Sequence, residues 1–385
     1  MKSQKIAVTL VATMLAVTVQ AQSVSREAVA FTQLVEPDSK IQMRDKGQHQ
    51  SSRAYFQKIT GAQLNNGVEF TVDGENAVLQ ISPLDKAKGK QRISKTKVPT
   101  GMSLSGNNKK RNVDSDEIAL HRRSQGLKEN YPELYGRAHV MQIPADMGRG
   151  KFRLKADNNA AIDDEFIVYV FDKNSAISLD VETSKSRYSV KQRLNFVASA
   201  KGESNARLVS VDAQLVSPNG KTYKLPGNAK GNRFSSNWPI AMKEQRHPGE
   251  LWQLQVKANI RTASGENVQR ISEVAVDVYE PTATLQTVTS DAQTVALNLE
   301  VAKAGRYEAR ALVYGTDYDG ASKPVLLAYQ AQWLVPGQQQ LTVSVDTAKL
   351  RASGLVAPYT VKSLQLLDQG RMAVLESSEG DWSLK

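Results

Sequence analysis

Around residues 253 to 260 apolar and polar side chains alternate without a break. Leu254, Val256, Ala258 and Ile260 fall on one side of an extended chain, and Gln253, Gln255, Lys257 and Asn259 on the other. A helix would spread these apolar residues round its circumference. A strand with one face on a core and the other in water needs a period of two. The same period returns at Leu194, Phe196 and Ala198, at Val211, Ala213 and Leu215, and at Val274, Val276 and Val278. Beyond residue 282 it recurs at Val295, Leu297, Leu299 and Val301, at Tyr307, Ala309, Ala311 and Val313, and at Leu341, Val343 and Val345. Pro218-Asn219-Gly220, Ser264-Gly265 and Pro336-Gly337 supply turns between such runs. The spacing fits about seven strands in each of two segments, 175–281 and 282–385, and so two antiparallel sandwiches. Glu280-Pro281-Thr282 marks their junction.

The preceding segment, 22–174, is less regular. Glu69-Phe70-Thr71-Val72 and Ala77-Val78-Leu79-Gln80-Ile81 suggest a hairpin turning near Gly74. Residues 86–112 carry Pro99, Gly101 and Gly106 and few aromatic or β-branched side chains, which predicts a long exposed loop. Asp114 with Glu117 resembles a capping box, and Ile118, Leu120, Leu127, Tyr131 and Leu134 follow at near-helical spacing until Pro132 and Gly136. A single helix is expected there. Strands at 139–143, 151–154 and 165–171 complete this N-terminal domain.

The first residues address compartment. Lys2 and Lys5 precede an apolar run from Ile6 to Val19, and Val19-Gln20-Ala21 places small residues at the two positions a signal peptidase reads. The run is shorter than the ~20 residues of a membrane span. Residues 1–21 are therefore read as a signal peptide and the protein as exported, periplasmic or extracellular, with no transmembrane span in the mature chain. The chain has no Cys. That excludes a lipoprotein, disulfides, a thiolate metal site and a cysteine nucleophile.

The net charge of +11 is concentrated. Lys2 and Lys5 supply two charges, and nine more lie between Lys86 and Asn112, where no acid interrupts them. The remainder of the chain balances. Within that segment Lys95, Lys97, Lys109, Lys110 and Arg111 are the candidate anion-binding residues. The segment lacks aromatics on which bases could stack, so nucleic acid is not the expected partner. An anionic envelope polymer or acidic polysaccharide suits an exported protein better, and a protein partner is compatible with sandwich folds. The competing reading is a solvated loop with no partner.

Catalytic chemistry finds little support. His49, His121, His139 and His247 are scattered, and no His-Glu-x-x-His pattern exists. Arg122 and Arg123 beside His121 disfavour a cation there. No Gly-x-Ser-x-Gly elbow is present. No catalytic residue is assigned. Asp317 and Asp319 before Gly320 offer oxygen donors for calcium, but the Gly and Glu positions of an EF-hand are not in place. A hairpin turn explains that sequence better, with calcium as the alternative. Trp252 and Trp333 lie inside strand patterns and are expected in cores.

Two further stretches carry a resemblance. Leu179-Asp180-Val181, Tyr188-Ser189-Val190, Ser217-Pro218-Asn219-Gly220-Lys221 and Pro248-Gly249-Glu250-Leu251-Trp252 resemble bacterial Ig-like domains of the macroglobulin or invasin style. Gly305-Arg306-Tyr307, Tyr314-Gly315 and Ala357-Pro358-Tyr359-Thr360 are similar to a C-terminal sandwich of secreted bacterial proteins. Together the chain resembles an uncharacterised secreted bacterial family with an N-terminal domain of unknown function followed by Ig-like sandwiches. The fold expected is thus mainly β: an N-terminal β-rich domain with one helix plus two tandem Ig-like antiparallel β-sandwiches. The function expected is non-enzymatic binding or adhesion at the envelope or outside the cell. An exported hydrolase or its accessory, with a site in the N-terminal domain, is the alternative. On this reading a bacterial host should export a chain that begins at Gln22. Intact-mass analysis of the exported protein checks this, and a product retaining Met1 to Ala21 would refute it.

Overall fold

Trp252, Leu254, Val256, Ala258 and Ile260 are all buried, and the strand they form, Trp252–Arg261, exposes or half-exposes every residue between them. The alternation is thus converted directly into a two-faced strand. The computed structural model describes residues 27–384 apart from 42, 89–90, 95, 124, 131–136, 158 and 242–249. The signal sequence read at 1–21, Lys95 and His247 lie outside the described residues. The fold is mainly β and built from antiparallel sheets. It divides into two compact units, Met43–Pro281 and a second made of the chain from Thr282 onward with an N-terminal strand.

Met43–Pro281 contains two hydrophobic cores. The second core lies in a sandwich of two five-stranded sheets. One sheet runs in the order Asn228–Lys230, Arg233–Pro239, Arg193–Lys201, Ser178–Thr183, His49–Ser52. The other runs Arg187–Ser189, Asn267–Tyr279, Trp252–Arg261, Arg207–Val216, Thr222–Lys224. Residues 175–281 thus supply nine of these strands, and the tenth, His49–Ser52, comes from the N-terminal segment and pairs with Ser178–Thr183. The expected turn at Pro218-Asn219-Gly220 is present: Gly220 has φ +82° and its amide donates to Ser217 O at 2.8 Å.

The first core lies between two four-stranded sheets, ordered His139–Gln142, Val78–Leu84, Glu165–Phe171, Ala54–Thr60 and Val68–Val72, Gly150–Ala156, Met102–Gly106, Lys109–Asn112. This arrangement corrects the expected hairpin at Gly74. Val68–Val72 pairs with Gly150–Ala156, whereas Val78–Leu84 pairs with Glu165–Phe171 and His139–Gln142 in the opposite sheet. The turn near Gly74 carries the chain across the core. The expected helix from Asp114 is also corrected, because α-helix begins only at Leu120, as Leu120–Arg123 and then Gln125–Asn130. Strand pairing captures the intervening residues: Ala119 bridges Met141, and Ile118 O accepts from Gln142 N at 2.9 Å. A six-residue helix at Gly61–Asn66 went unexpected, although Thr60 and Gln63 form a reciprocal capping box.

The two cores meet at a fully buried ion pair. Arg270 Nη2 lies 2.9 Å from Asp172 Oδ2, and both side chains are 0 % exposed. Arg270 also donates to Ser175 Oγ, to Ile177 O and to Gln269 O at 2.7, 3.1 and 2.9 Å. Asp172 accepts from the amides of Asp73 and Gly74 at 2.8 and 2.9 Å. A Cβ at Gly74 would stand 2.4 Å from Ser175 N and 2.8 Å from Asp172 Oδ1, so only glycine fits here. Ile271, next to Arg270 on the same strand, belongs to the first core.

The second unit is a sandwich of a five-stranded sheet, ordered Val29–Leu34, Ser322–Leu334, Gly305–Thr316, Val356–Asp368, Ala373–Leu384, and a three-stranded sheet, ordered Ala283–Ser290, Thr294–Val301, Gly337–Ser344. The seven strands after residue 282 match the sequence expectation in number. The edge strand Val29–Leu34 falls in the segment that the sequence boundaries assign to the N-terminal domain. Lys349 Nζ holds it by donating to Thr32 O and Oγ1 at 2.7 and 3.0 Å.

Replacing Arg270 with Leu leaves the Asp172 charge buried without its partner. We expect the unit Met43–Pro281 to lose about 3–5 kcal/mol of stability, with part of the loss recovered in the double replacement D172L/R270L. Urea unfolding followed by intrinsic fluorescence measures both, and an R270L midpoint equal to the parent's would contradict the assignment.

Candidate anion-binding face

The basic segment is not a loop. Lys86–Lys88 pairs with Gln91–Ser94 as one hairpin, and Met102–Gly106 pairs with Lys109–Asn112 as a second. The second hairpin turns at Asn107 and Asn108, both with positive φ (50° and 60°). Two consecutive left-handed residues match the right-handed twist of the flanking strands, and Asn tolerates that conformation. The Asn107 side chain further donates to the carbonyls of Met147 and Arg149 at 2.6 and 2.9 Å, locking the turn. Low β propensity in the segment is overridden by this turn and by Met102 and Leu104, which are buried in the first core.

Pairing divides the candidate cations between two sides of the sheet. Arg111 stands opposite Leu104 and Lys109 opposite Gly106. Both reach carboxylates: Lys109 Nζ lies 2.9 Å from Asp146 Oδ2, and Arg111 lies 3.0 Å from Asp146 Oδ2 and 3.2 Å from Glu117 Oε2. The hydrogen bond from Lys109 holds the Asp146 carboxyl below the usual carboxylate range, although burial opposes the shift. These two cations are locally neutralised. Lys110 is exposed on the other side, Lys97 is exposed in the segment between the hairpins, and Lys95 is outside the described residues.

Lys110 has company that the sequence reading missed. In register across the sheet it faces Ser105, then Arg153, then Glu69. Arg153 belongs to Gly150–Ala156, where Phe152, Leu154 and Ala156 are buried while Lys151, Arg153 and Lys155 are exposed. Phe152 stacks on Phe70 with centroids 5.9 Å apart, which fixes which side of the strand faces the core. The outer face therefore presents Lys110, Lys151, Arg153 and Lys155, and Glu69 is the only acid on its four strands. Among the described residues none of the four cations has an ion-pair partner; Arg153 donates to the neutral carbonyl of Asn66. A shallow open depression of about 460 Å³ borders this face, lined by Glu69, Ser105, Lys110, Lys151 and Arg153 and, from the hairpin turn, by Lys109. Along the strand these charges are ~7 Å apart, and across two strands ~10 Å. Those spacings are close to the Debye length of ~8–10 Å, so their fields add. The signal was the alternation Lys151-Phe152-Arg153-Leu154-Lys155, which puts three cations on one side of the strand expected at 151–154.

Of the two calcium candidates, Asp317 takes part in the hairpin turn the sequence suggested. Asp317 Oδ1 accepts from the amides of Asp319 and Ala321 at 3.0 and 2.7 Å, and Gly320 N donates to Asp317 O at 3.1 Å. This carboxylate closes the hairpin between Gly305–Thr316 and Ser322–Leu334. Trp252 is buried in the second core, as its strand pattern implied, whereas Trp333 is half-buried.

The fold recurs in a solved structure. A crystal structure of a DUF4785 family protein from Legionella pneumophila superimposes with a TM-score of 0.70 at 22% identity, covering 94% of each chain. A tetra-tandem repeat from the extending region of a large adhesion protein covers 88% of this chain and 75% of its own at 15% identity, with a TM-score of 0.19. No curated protein is detectably similar in sequence. The N-terminal domain model of the DUF4785 domain of unknown function matches residues 20–172, and its C-terminal domain model matches residues 281–384. The chain belongs to the DUF4785 family.

Proposed function

We propose that this is an exported, non-catalytic binding protein of the cell envelope or extracellular space. Its ligand on this reading is an acidic polymer, lipopolysaccharide or an acidic polysaccharide, held on the outer face of the sheet containing Gly150–Ala156. One observation carries the proposal: Lys110, Lys151, Arg153 and Lys155 share that face with Glu69 as its single acid. Ser103, Ser105 and Asn112 intersperse hydrogen-bonding groups among the cations without adding bulk. A flat sheet face of this kind suits an extended polyanion better than a small molecule, which would need an enclosing pocket. Among the described residues no helix is long and apolar enough to cross a membrane. Export rests on the n-region, apolar core and small-x-small site of residues 1–21.

The two sides of the hairpin give the experiment its contrast. Binding isotherms to lipopolysaccharide and to an acidic polysaccharide at low salt should show affinity that falls steeply by physiological ionic strength. The variant K110Q/K151Q/R153Q/K155Q should bind at least about tenfold more weakly, a change of ~1.4 kcal/mol. K109Q/R111Q should lose less than the quadruple variant, because Asp146 and Glu117 already offset those cations in the parent. Equal binding by parent and quadruple variant, or a larger loss in K109Q/R111Q, would refute the face as the site.

A further inference from the structure

Three side chains far apart in sequence converge beside the first core. Asp114 lies in the turn that follows Lys109–Asn112, His121 is on the helix Leu120–Arg123, and His139 opens the strand His139–Gln142. One possible ligand atom from each lies within 4.8 Å of the other two. Among the described residues this is the only such group of three. His139 Nδ1 is 3.6 Å from Asp114 Oδ1, and the two imidazole centroids are 5.0 Å apart with planes inclined by 63°. All three side chains are half-buried.

Backbone hydrogen bonds hold the three positions. Asp114 N donates to Asn112 Oδ1 at 2.8 Å, and Ala119 N donates to Ser115 O at 2.9 Å. Gln142 N reaches Ile118 O at 2.9 Å, Ala119 bridges Met141, and His139 pairs with Ile81 in the adjoining strand. The three ligand residues therefore sit on a hydrogen-bonded turn, a short helix and a paired strand. His121 Nδ1 stands 3.4 Å from Val140 O. A proton donated there leaves the lone pair on Nε2, and such an outer hydrogen bond orients metal-ligating histidines generally.

Distance and donor type select the ion. A tetrahedral Zn²⁺ with bonds of about 2.0–2.1 Å separates its ligand atoms by roughly 3.3–3.5 Å. The His139–Asp114 spacing of 3.6 Å is already near that value. The other separations, all within 4.8 Å, need to shorten by about 1.5 Å at most to reach that value. Two imidazoles and one carboxylate suit a late transition metal, whereas Ca²⁺ and Mg²⁺ prefer all-oxygen sites.

We propose that Asp114, His121 and His139 form a binding site for a divalent transition metal of the Zn²⁺ class, leaving one coordination position open to water or an anionic ligand group. Titration calorimetry of the untagged, chelator-stripped full chain with ZnCl₂ tests it. The parent should bind one Zn²⁺ per chain and gain thermal stability, and equal concentrations of Ca²⁺ or Mg²⁺ should do neither. H121Q, H139Q and D114N should each bind about tenfold or more weakly and lose the thermal shift. H49Q, which alters a histidine paired with Asp180 at 3.4 Å on another sheet, should bind as the parent does. H121Q keeps the test decisive if H139Q does not fold. Absence of binding in the parent, unchanged binding in a folded H121Q or D114N, or loss of binding in H49Q would overturn the proposal.

Discussion

Everything in Met43–Pro281 is organised round one desolvated ion pair. Burying Arg270 and Asp172 costs several kcal/mol per ion, and their attraction repays that only if the surrounding polar atoms are answered. They are. Arg270 meets Asp172, Ser175, Ile177 O and Gln269 O, and Asp172 meets the amides of Asp73 and Gly74. Burial pushes the Asp172 carboxyl up and the Arg270 guanidinium down; their mutual attraction opposes both shifts, and the amides of Asp73 and Gly74 oppose the first. Apolar residues could fill the same space at similar stability. They could not tie three separated pieces of chain, at 73–74, 172–177 and 270, to one geometric point. The pair also explains why the chain turns at Gly74, and hence why Val68–Val72 and Val78–Leu84 enter opposite sheets.

That constraint marks the limit of what could be read from sequence. The two sandwiches were legible because their strands are half-buried, so every second residue reports the same environment. The turn at Pro218-Asn219-Gly220 was legible for a local reason, since Gly220 alone satisfies the positive φ. The N-terminal lobe was harder because its strands are ordered by long-range contacts. Ala77 to Ile81 reads as the return arm of a hairpin until Asp172, almost a hundred residues later, claims the amide of Gly74. Asp114 and Glu117 have the spacing of a capping box, but Glu117 pairs with Arg111 and Asp114 faces His139. Local propensity supplied a correct pattern for an interaction that tertiary contacts had already committed elsewhere. The same holds for Val29–Leu34 and His49–Ser52, short strands whose partners lie far along the chain.

The candidate anion face shows why a count of charges differs from a field. Lys109, Lys110 and Arg111 are consecutive and look equivalent in a composition window. A strand sends them to alternate sides, and the sides differ: Asp146 and Glu117 meet Lys109 and Arg111, while Lys110 joins a row of cations from another strand. Lys151, Arg153 and Lys155 are nearly invisible to net-charge bookkeeping because acids elsewhere cancel them. Their fields add because they stand ~7–10 Å apart on one face, within about a Debye length of one another, whereas those acids lie off the face. The portion legible in the sequence was therefore the sign and rough place of the charge. The surface that displays it required the register of Gly150–Ala156 against Met102–Gly106.

The stretch from Lys109 to His121 shows how one short segment can carry several kinds of chemistry at once. Its strand residues are sorted by a period of two, its turn is fixed by the Asn112 side chain and the Asn112 carbonyl, and its last two residues before the helix are held by pairing to the strand that His139 opens. Each device removes freedom from a different side chain. Lys110 is left facing solvent, Lys109 and Arg111 are spent on carboxylates, and Asp114 and His121 are brought to His139. Had the expected helix started at Asp114, that carboxylate would have been drawn to the first helical amides, where it stabilises a helix. Moving the helix start to Leu120 is what frees Asp114 to face an imidazole. The residue pattern that misled the secondary-structure reading and the geometry that assembles the histidine–aspartate group thus have the same cause, the capture of Ile118 and Ala119 by strand His139–Gln142.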